Sequence, residues 1–113
     1  MRSEGSRARQ QYLEAHCLKN DEFMKTARVE SEKLGLEDIS ISYPEAAIMS
    51  FLVRLHHGQK FIEVGTLTGF SALAILRGLD PAGTLWTFEK NPTHASVARR
   101  LLGLAIAAGS KKV

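Results

Sequence analysis

Along the first half of the chain, apolar residues recur every three or four positions, which is the spacing of amphipathic helices. Residues 10–33 follow this pattern with one interruption at residues 20–21, and Gly35 is a plausible helix end. Residues 1–9 are polar and lack such a pattern, so we expect a flexible tail there. Residues 37–42 are predicted to be a short extended link.

A further helix is predicted from Pro44, which suits a first helical turn with Ser42 or Tyr43 before it. Its apolar residues again follow three- and four-residue steps. These residues are Ala47, Ile48, Phe51, Leu52 and Leu55. The polar residues 56–58 end the pattern.

After this helix the pattern alternates between strands and helices. Residues 60–64 are apolar on both faces, as in a central parallel strand. Residues 70–79 follow as a helix that ends at a glycine and a proline-containing turn. Residues 84–90 are predicted to be a second strand, in which we expect Trp86 to lie in the core.

A last helix is predicted to begin with Asn91 as its cap and Pro92 at its first position. Its predicted buried face consists of Ala95, Ala98, Leu101, Leu102, Ala105 and Ala108. Helices followed by strand, helix, strand and helix predict an α/β fold, the N-terminal part of a doubly wound Rossmann-like sheet. The predicted division is a flexible tail at 1–9, a helical lead-in at 10–58, and the incomplete start of an α/β domain at 59–113.

Composition narrows the class of protein. The 113 residues make at most one domain, and an apolar content of 44% is enough for a core. The net charge of +3 is spread along the chain, so we do not expect a nucleic-acid partner. No apolar run approaches the ~20 residues that span a bilayer, so we expect no membrane contact. The single cysteine, Cys17, excludes an internal disulfide and favours a cytoplasmic location.

The candidate site is the segment FIEVGTLTGFS, residues 61–71, in which the predicted first strand turns into a helix. Ligands of doubly wound sheets bind at the carboxyl ends of the strands. Gly65 and Gly69 lie just past that end, and a glycine lets a ligand approach the backbone closely. The free amide groups of the following helix point at the same crevice. Glu63 adds a carboxylate there.

The spacing argues against two nucleotide motifs. A phosphate-binding loop needs a lysine after its second glycine, and none follows Gly69. A dinucleotide site needs a glycine at Leu67, and Glu63 would repel a pyrophosphate. Glu63 suits a ligand with an ammonium or hydroxyl group, such as S-adenosylmethionine. Glu89, at the end of the second strand, lies where a ribose diol is bound in such folds.

Purely structural interpretations remain open for each of these residues. Glu63 is also compatible with a helix N-cap or a paired structural carboxylate, and the two glycines with ordinary turn residues. Glu89 is compatible with an exposed strand end. Ser71, near a helix start, is compatible with a cap.

Residues 41–92 resemble the first half of a class I S-adenosylmethionine-dependent O-methyltransferase of the family that includes the catechol and caffeoyl-CoA enzymes, and with less specific motifs the resemblance runs from about Tyr12 to the end of the chain. The resemblance rests on the family's acidic-x-G-x-x-T-G-[YF]-S motif, which residues 63–71 match. It implies that S-adenosylmethionine is the cofactor. The implied cofactor-binding residues are Glu63 near the methionine or ribose part, Gly65 and Thr66 through their backbone, Gly69 at the turn, Ser71 on the methionine carboxylate, Glu89 on the ribose diol, and Ser42 in a segment over the cofactor.

The resemblance also implies what these residues lack. The family's metal-binding carboxylates, which hold a divalent ion such as Mg²⁺, and its catalytic lysine follow the fourth strand, so we assign no catalytic or metal-binding residue here. One edge of the first strand should be unpaired, which favours a homo-oligomer through that edge. We therefore expect an incomplete O-methyltransferase acting on an unidentified small hydroxylated acceptor. The alternative is a non-catalytic adenosyl- or nucleotide-binding remnant, or a subunit that pairs with another chain.

Overall fold

The fold consists of five helices and a two-stranded sheet within residues 3–17, 21–57 and 59–109, which the computed structural model describes. The helices are α1 (Glu4–Cys17), α2 (Glu22–Lys33), α3 (Tyr43–His56), α4 (Phe70–Gly78) and α5 (Pro92–Gly109), and the strands are β1 (Lys60–Val64) and β2 (Thr84–Phe88). The predicted order of elements is therefore confirmed. The predicted helix-ending Gly58 and the predicted start of a third strand at 111–113 lie outside the described residues.

The N-terminal segment differs from the prediction of a flexible tail, because α1 begins at Glu4. The Ser3 hydroxyl accepts the N–H of Ser6 at 3.3 Å, as a helix-capping residue does. Arg7 forms an ion pair of 3.2 Å with Asp38, which ties the helix to the loop after α2. The apolar pattern missed this segment because most of its residues are polar, and among them Glu4, Arg7 and Arg9 have good helix propensity.

The predicted interruption at residues 20–21 is confirmed at Asp21, which caps α2 by accepting the N–H of Met24 at 3.1 Å, while Asn20 lies outside the described residues. The link at 37–42 was wrongly predicted to be extended. It contains a turn in which the N–H groups of Ile39 and Ser40 both donate to the Leu36 carbonyl at 3.2 Å. An alternating run this short does not distinguish a strand from a turn.

The sheet is parallel, as the alternation of elements predicted. Lys60 pairs with Thr84 and Val64 with Phe88, so the carboxyl ends of β1 and β2 lie side by side. Successive side chains of a strand point to opposite faces. Leu85 is fully buried on the face that packs against α4.

The other face of the sheet is uncovered, and we call it the open sheet face. It consists of Ile62, Val64, Trp86 and Phe88. Ile62 is 73% exposed and Val64 is 85% exposed. The prediction that Trp86 lies in the core is therefore wrong, since 44% of this residue is exposed. Its alternation along the strand is regular, but no described element packs on that side.

Helix α4 is the centre of the core, with seven of its nine residues buried. Helices α2, α3 and α5 and strand β2 all contact it. A helix that is apolar on most sides, as α4 is apart from Ser71 and the exposed Arg77, is stable only when it is surrounded in this way. Gly78 permits the closest of these contacts, because a Cβ atom there would lie 2.3 Å from the Ser50 carbonyl oxygen of α3.

Helix α3 forms as predicted, but its apolar face is mostly exposed. Ala46 and Val53 contact the core, whereas Ile48, Phe51, Leu52 and Leu55 are exposed. This face borders a groove of about 750 Å³, which we call the α3 groove. Its lining is Glu45, Ile48, Met49, Leu52, Val53, Leu55, His56 and Phe61.

The predicted buried face of α5 is confirmed at Ala98, Leu101 and Leu102, while Ala95 and Ala105 are half-buried and Ala108 is exposed. The last turn of α5 therefore extends beyond the core. Within the described ranges, none of the helices combines the length and apolar character that crossing a bilayer requires.

Replacing Gly78 with alanine should lower the free energy of unfolding by about 1–3 kcal/mol, because the new methyl group would overpack the contact with Ser50. Gly103→Ala is the matched control in α5, where an added Cβ meets nothing within 4 Å. That control should be neutral or stabilise by up to ~1 kcal/mol through helix propensity. Urea unfolding measures both effects, and equal stabilities of the two variants would contradict the close packing of α3 and α4.

Candidate functional site

The turn at residues 65–69 joins β1 to α4 at the carboxyl edge of the sheet. Gly65 and Gly69 both have φ of +93°, a conformation that side chains disfavour. Gly65 donates its N–H to the Phe88 carbonyl at 2.8 Å, which extends the strand pairing by one residue. A Cβ on Gly65 would have no atom within 4 Å, so a ligand has room to approach the backbone there.

Gly69 combines its positive φ with close packing, since a Cβ there would lie 3.5 Å from Leu102 and 3.6 Å from Ala98 of α5. It is also the N-cap of α4, and as a glycine it makes no side-chain hydrogen bond to the helix. The first amide groups of α4 therefore have no side-chain cap from their own N-cap residue, which is the arrangement that favours an anion at a helix N-terminus.

Leu67, between the two glycines, is left-handed as well, with φ of +51°. This conformation costs a non-glycine residue about 1–2 kcal/mol. The N–H of Leu67 donates to Glu89 Oε2 at 2.9 Å. The sequence contained a hint of this positive φ. Leu67 occupies the place of the second glycine in a dinucleotide motif.

Glu63 lies on the covered face of the sheet and accepts two hydroxyl hydrogen bonds. Ser71 of α4 donates to Oε2 at 2.5 Å, and Thr87 of β2 donates to Oε1 at 2.6 Å. Thr66 and Thr87 are also hydrogen-bonded, at 2.5 Å between their hydroxyl oxygens. A threonine has one hydroxyl proton, so Thr66 is the donor to Thr87. Thr87 is thus a site residue that the sequence analysis missed.

Burial raises the pKa of Glu63 above its usual value, and the hydrogen bonds from Ser71 and Thr87 only partly oppose this. The carboxyl group has neutral hydroxyl partners, which offset the cost of burying its charge less than a cation would. The structure therefore disfavours the reading of Glu63 as one half of a structural ion pair.

Glu89 follows β2 at the same edge, and two backbone amides hold its carboxylate. Oε1 accepts the N–H of Asn91 at 2.9 Å, and Oε2 accepts the N–H of Leu67 at the same distance. These hydrogen bonds hold the pKa of Glu89 below its usual value, with Asn91 the larger cause. Glu89 therefore stays ionised at neutral pH, and it borders a cavity of about 350 Å³ with Thr66 and Thr87.

Two further hydroxyl residues stabilise the surroundings of the turn. Thr68 is fully buried and donates to the Ala27 carbonyl of α2 at 2.9 Å. Ser42 is buried at the start of α3, where its hydroxyl accepts the N–H of Glu45 at 3.3 Å and its own N–H donates to the Glu45 carboxylate at 2.6 Å. This capping box assigns Ser42 to the N-terminus of α3, where its hydroxyl and its N–H are both engaged with Glu45.

Ser42 is nevertheless linked to the turn through its neighbour. The ring of Tyr43 packs edge-on against Phe70, the first residue of α4, with 5.0 Å between centroids. The guanidinium of Arg28 lies 4.1 Å from the Phe70 centroid and donates to the Ile41 carbonyl at 2.6 Å. The segment before α3 is therefore fixed beside the N-terminus of α4.

Taken together, these groups suit a ligand of mixed charge. Glu63 and Glu89 accept hydrogen bonds from ammonium or hydroxyl groups, and the N-terminus of α4 attracts a carboxylate. Within residues 3–17, 21–57 and 59–109, no three His, Cys, Asp or Glu side chains are grouped so that they could hold a metal ion.

Comparisons with known proteins find relatives over most of this chain. A family model described as O-methyltransferase matches residues 14–112. A catechol O-methyltransferase of Mycobacterium tuberculosis is 31% identical over 88 residues, which are 78% of this chain and 40% of that protein. A putative O-methyltransferase of Mycobacterium marinum is 32% identical over 96 residues, 82% of this chain and 42% of that protein.

Solved structures show the same fold. An O-methyltransferase of Bacillus cereus in complex with SAH superposes with a TM-score of 0.80 at 24% identity, over 93% of this chain and 47% of that one. The O-methyltransferase TomG of Streptomyces achromogenes in complex with SAM also has a TM-score of 0.80, at 27% identity, over 98% of this chain and 51% of that one. The chain thus spans about half the length of the proteins that it matches.

The opposite pKa shifts of the two carboxylates predict opposite effects of pH on stability. The raised pKa of Glu63 means that its ionisation destabilises the fold as pH rises from about 4, the pKa of an unfolded glutamate, through its folded value. The free energy of unfolding of Glu63→Gln minus that of the wild type should therefore be larger at pH 7 than at about pH 4. Urea unfolding at both values measures this difference, and a pH-independent difference would contradict it.

Glu89→Gln is the matched comparison and should show the reverse sign. The lowered pKa of Glu89 means that its ionised form stabilises the fold, and this contribution is lost as pH falls through the folded value. At pH 7 the free energy of unfolding of the variant should therefore be lower than that of the wild type. At about pH 3 the two values should be similar. The same sign for both variants would contradict the assigned environments.

Proposed function

The chain belongs to the O-methyltransferase family, and from that premise we propose that it binds S-adenosylmethionine at residues 65–71 and forms part of an enzyme that methylates a small hydroxylated acceptor. The observation that carries the proposal is the meeting of Glu63, Ser71 and Glu89 around a glycine turn with an uncapped helix N-terminus. The complexes of two structural neighbours with SAH and SAM support the choice of cofactor.

Each residue has a distinct role in this proposal. Gly65 and Thr66 offer their backbone, and Gly69 leaves the first amides of α4 free for the methionine carboxylate. Glu63 accepts from the ammonium or ribose part. Glu89 accepts from the ribose diol, since each carboxylate oxygen can accept a second hydrogen bond.

Ser71 has a further constraint, because its hydroxyl proton already goes to Glu63. The hydroxyl can donate to the methionine carboxylate only if it turns away from Glu63. Cofactor binding at Ser71 would therefore change the hydrogen bonding of Glu63 at the same time. Ser42 contributes in this proposal by fixing the start of α3 beside the turn, since its hydroxyl is engaged in the capping box.

When bound, S-adenosylmethionine supplies an electrophilic methyl group on a sulfonium centre. The residues of this chain bind and orient that cofactor, and none is assigned as a catalytic residue. Methyl transfer depends on holding an acceptor in line with the methyl group. The described residues do not fit a divalent metal, so no step is assigned to one. We expect no methyl transfer by the 113 residues alone, and we propose a cytoplasmic location from the single cysteine.

Glu63→Gln should weaken S-adenosylmethionine binding by about 1–3 kcal/mol, because it removes a charged hydrogen-bond acceptor from the site. Asp80→Asn is the matched control, since it removes a carboxylate that precedes β2, at the amino ends of the strands and away from the glycine turn. Isothermal titration calorimetry with S-adenosylmethionine measures both. Equal affinities of Glu63→Gln and the wild type would contradict the assignment of Glu63 to the site.

A second candidate function, a subunit that pairs with another chain, is favoured by the uncovered apolar surfaces. In the part of the sheet that the structure describes, β1 is hydrogen-bonded to β2 on one side. The α3 groove lies beside β1, and Phe61 of that strand contributes to its lining. A free strand edge is a template for pairing with another strand. We propose that a second copy occupies this edge, because two identical edges related by a twofold axis are self-complementary.

Leu52→Glu should shift such an assembly towards the monomer, because Leu52 is 55% exposed and lines the α3 groove. Leu104→Glu is the matched control on α5, where the leucine is 54% exposed and outside the groove. Light scattering after size-exclusion chromatography measures the mass. A wild type that is monomeric at every concentration, or equal effects of both substitutions, would contradict pairing through this edge.

A further inference from the structure

The hydrogen bond between Leu67 and Glu89 joins two parts of the site that are 22 residues apart in sequence. Leu67 is a non-glycine residue with positive φ, at the centre of the turn between Gly65 and Gly69. A leucine is rarely stable in this conformation unless its surroundings hold it there. The Glu89 carboxylate supplies such a contact, because it accepts the Leu67 N–H at 2.9 Å.

Glu89 is itself held firmly enough to act as an anchor. Its other oxygen accepts the N–H of Asn91 at 2.9 Å, and Asn91 caps α5 by accepting the N–H of Thr93 at 2.9 Å. The carboxylate therefore bridges the start of α5 and the glycine turn. Hydrogen bonds from backbone amides to a carboxylate are charge-assisted and stronger than those between neutral groups.

The hydroxyl groups next to Leu67 have other partners. Thr66 is hydrogen-bonded to Thr87 at 2.5 Å, and Thr68 donates to the Ala27 carbonyl at 2.9 Å. The two glycine amides of the turn are bonded to backbone carbonyls, Gly65 to Phe88 and Gly69 to Thr66. Without Glu89, the Leu67 N–H would lose its protein acceptor while the rest of the turn kept its own.

We propose that Glu89 is a positioning residue that holds Leu67 in its left-handed conformation and so shapes the turn on which the cofactor lies, in addition to any contact with the ribose. The contact itself is a property of the ligand-free chain, whereas its consequence for binding rests on the proposed cofactor function. Leu67 thereby adopts the positive φ that a glycine would adopt without strain. The hydrogen bond to the carboxylate, and not the backbone freedom of a glycine, holds it in this conformation.

Amide hydrogen exchange of the ligand-free chain tests the contact directly. In Glu89→Ala the Leu67 amide should exchange at least about tenfold faster than in the wild type, because its acceptor is lost. The Gly65 amide is the internal control and should keep its protection, since its acceptor is the Phe88 carbonyl. Unchanged protection of Leu67 would overturn the proposal. If Gly65 also loses protection, Glu89→Met, which has a similar length but no strong hydrogen-bond acceptor, is measured in its place, and unchanged protection of Leu67 in that variant would overturn the proposal.

A double-mutant cycle with Leu67→Gly tests the consequence for binding, with S-adenosylmethionine as the probe. Glycine adopts a positive φ without strain, so Leu67→Gly should restore about threefold or more of the affinity that Glu89→Ala loses, and this gain is measured as the coupling between the two substitutions. Strictly additive effects would mean that Glu89 acts through the ribose alone and would overturn the positioning role. Absence of binding by the wild type would refute the proposed cofactor function, and hydrogen exchange would still decide whether the contact exists.

Discussion

The parallel pairing of β1 with β2 is the constraint on which the rest of the structure depends. Because the strands run in the same direction, the chain must cross from one end of the sheet to the other between them, and α4 makes that crossing. The pairing also places the carboxyl ends of both strands at one edge. Glu63 and Glu89 therefore lie at the same edge although they belong to different strands.

The two carboxylates share an edge but have different environments, and the difference follows from their hydrogen-bond donors. Glu63 is more deeply buried and receives two side-chain hydroxyls, so the cost of burying its charge dominates and its pKa rises. Glu89 is less buried and receives two backbone amides, which favour the ionised form and lower its pKa. The same end of the sheet thus holds one carboxyl group with a raised pKa and one with a lowered pKa.

The uncovered surfaces fit a chain that spans about half the length of its relatives. Helix α4 is surrounded by described elements, so the core around it is well packed. The open sheet face and the α3 groove expose large apolar residues, and patches of this kind mark contact surfaces in stable proteins. The described residues therefore combine a glycine turn with apolar faces that no described element covers.

Local interactions explain what was predictable from the sequence. The order of helices and strands, the cap at Asn91 and the glycine turn after β1 depend on residues close together in the chain, and the structure agrees with each. The family resemblance likewise rested on the short segment of residues 63–71. Helical residues 4–9 escaped prediction because Glu4, Arg7 and Arg9, which have good helix propensity, leave no apolar pattern.

Other features depended on contacts between distant residues, and only the tertiary structure decided them. An alternating strand has two equivalent faces, so the sequence could not tell that Leu85 would be buried and Trp86 exposed. The apolar pattern of α3 likewise predicted a helix without deciding which side would meet α4. The partners of Glu63 and Glu89 come from across the sheet and from a turn 22 residues away, at Thr87 and Leu67. The sequence by itself determined which elements form and where the turn lies. The packing of α4 against its neighbours decided which faces are covered, because burial depends on what lies opposite a residue in space.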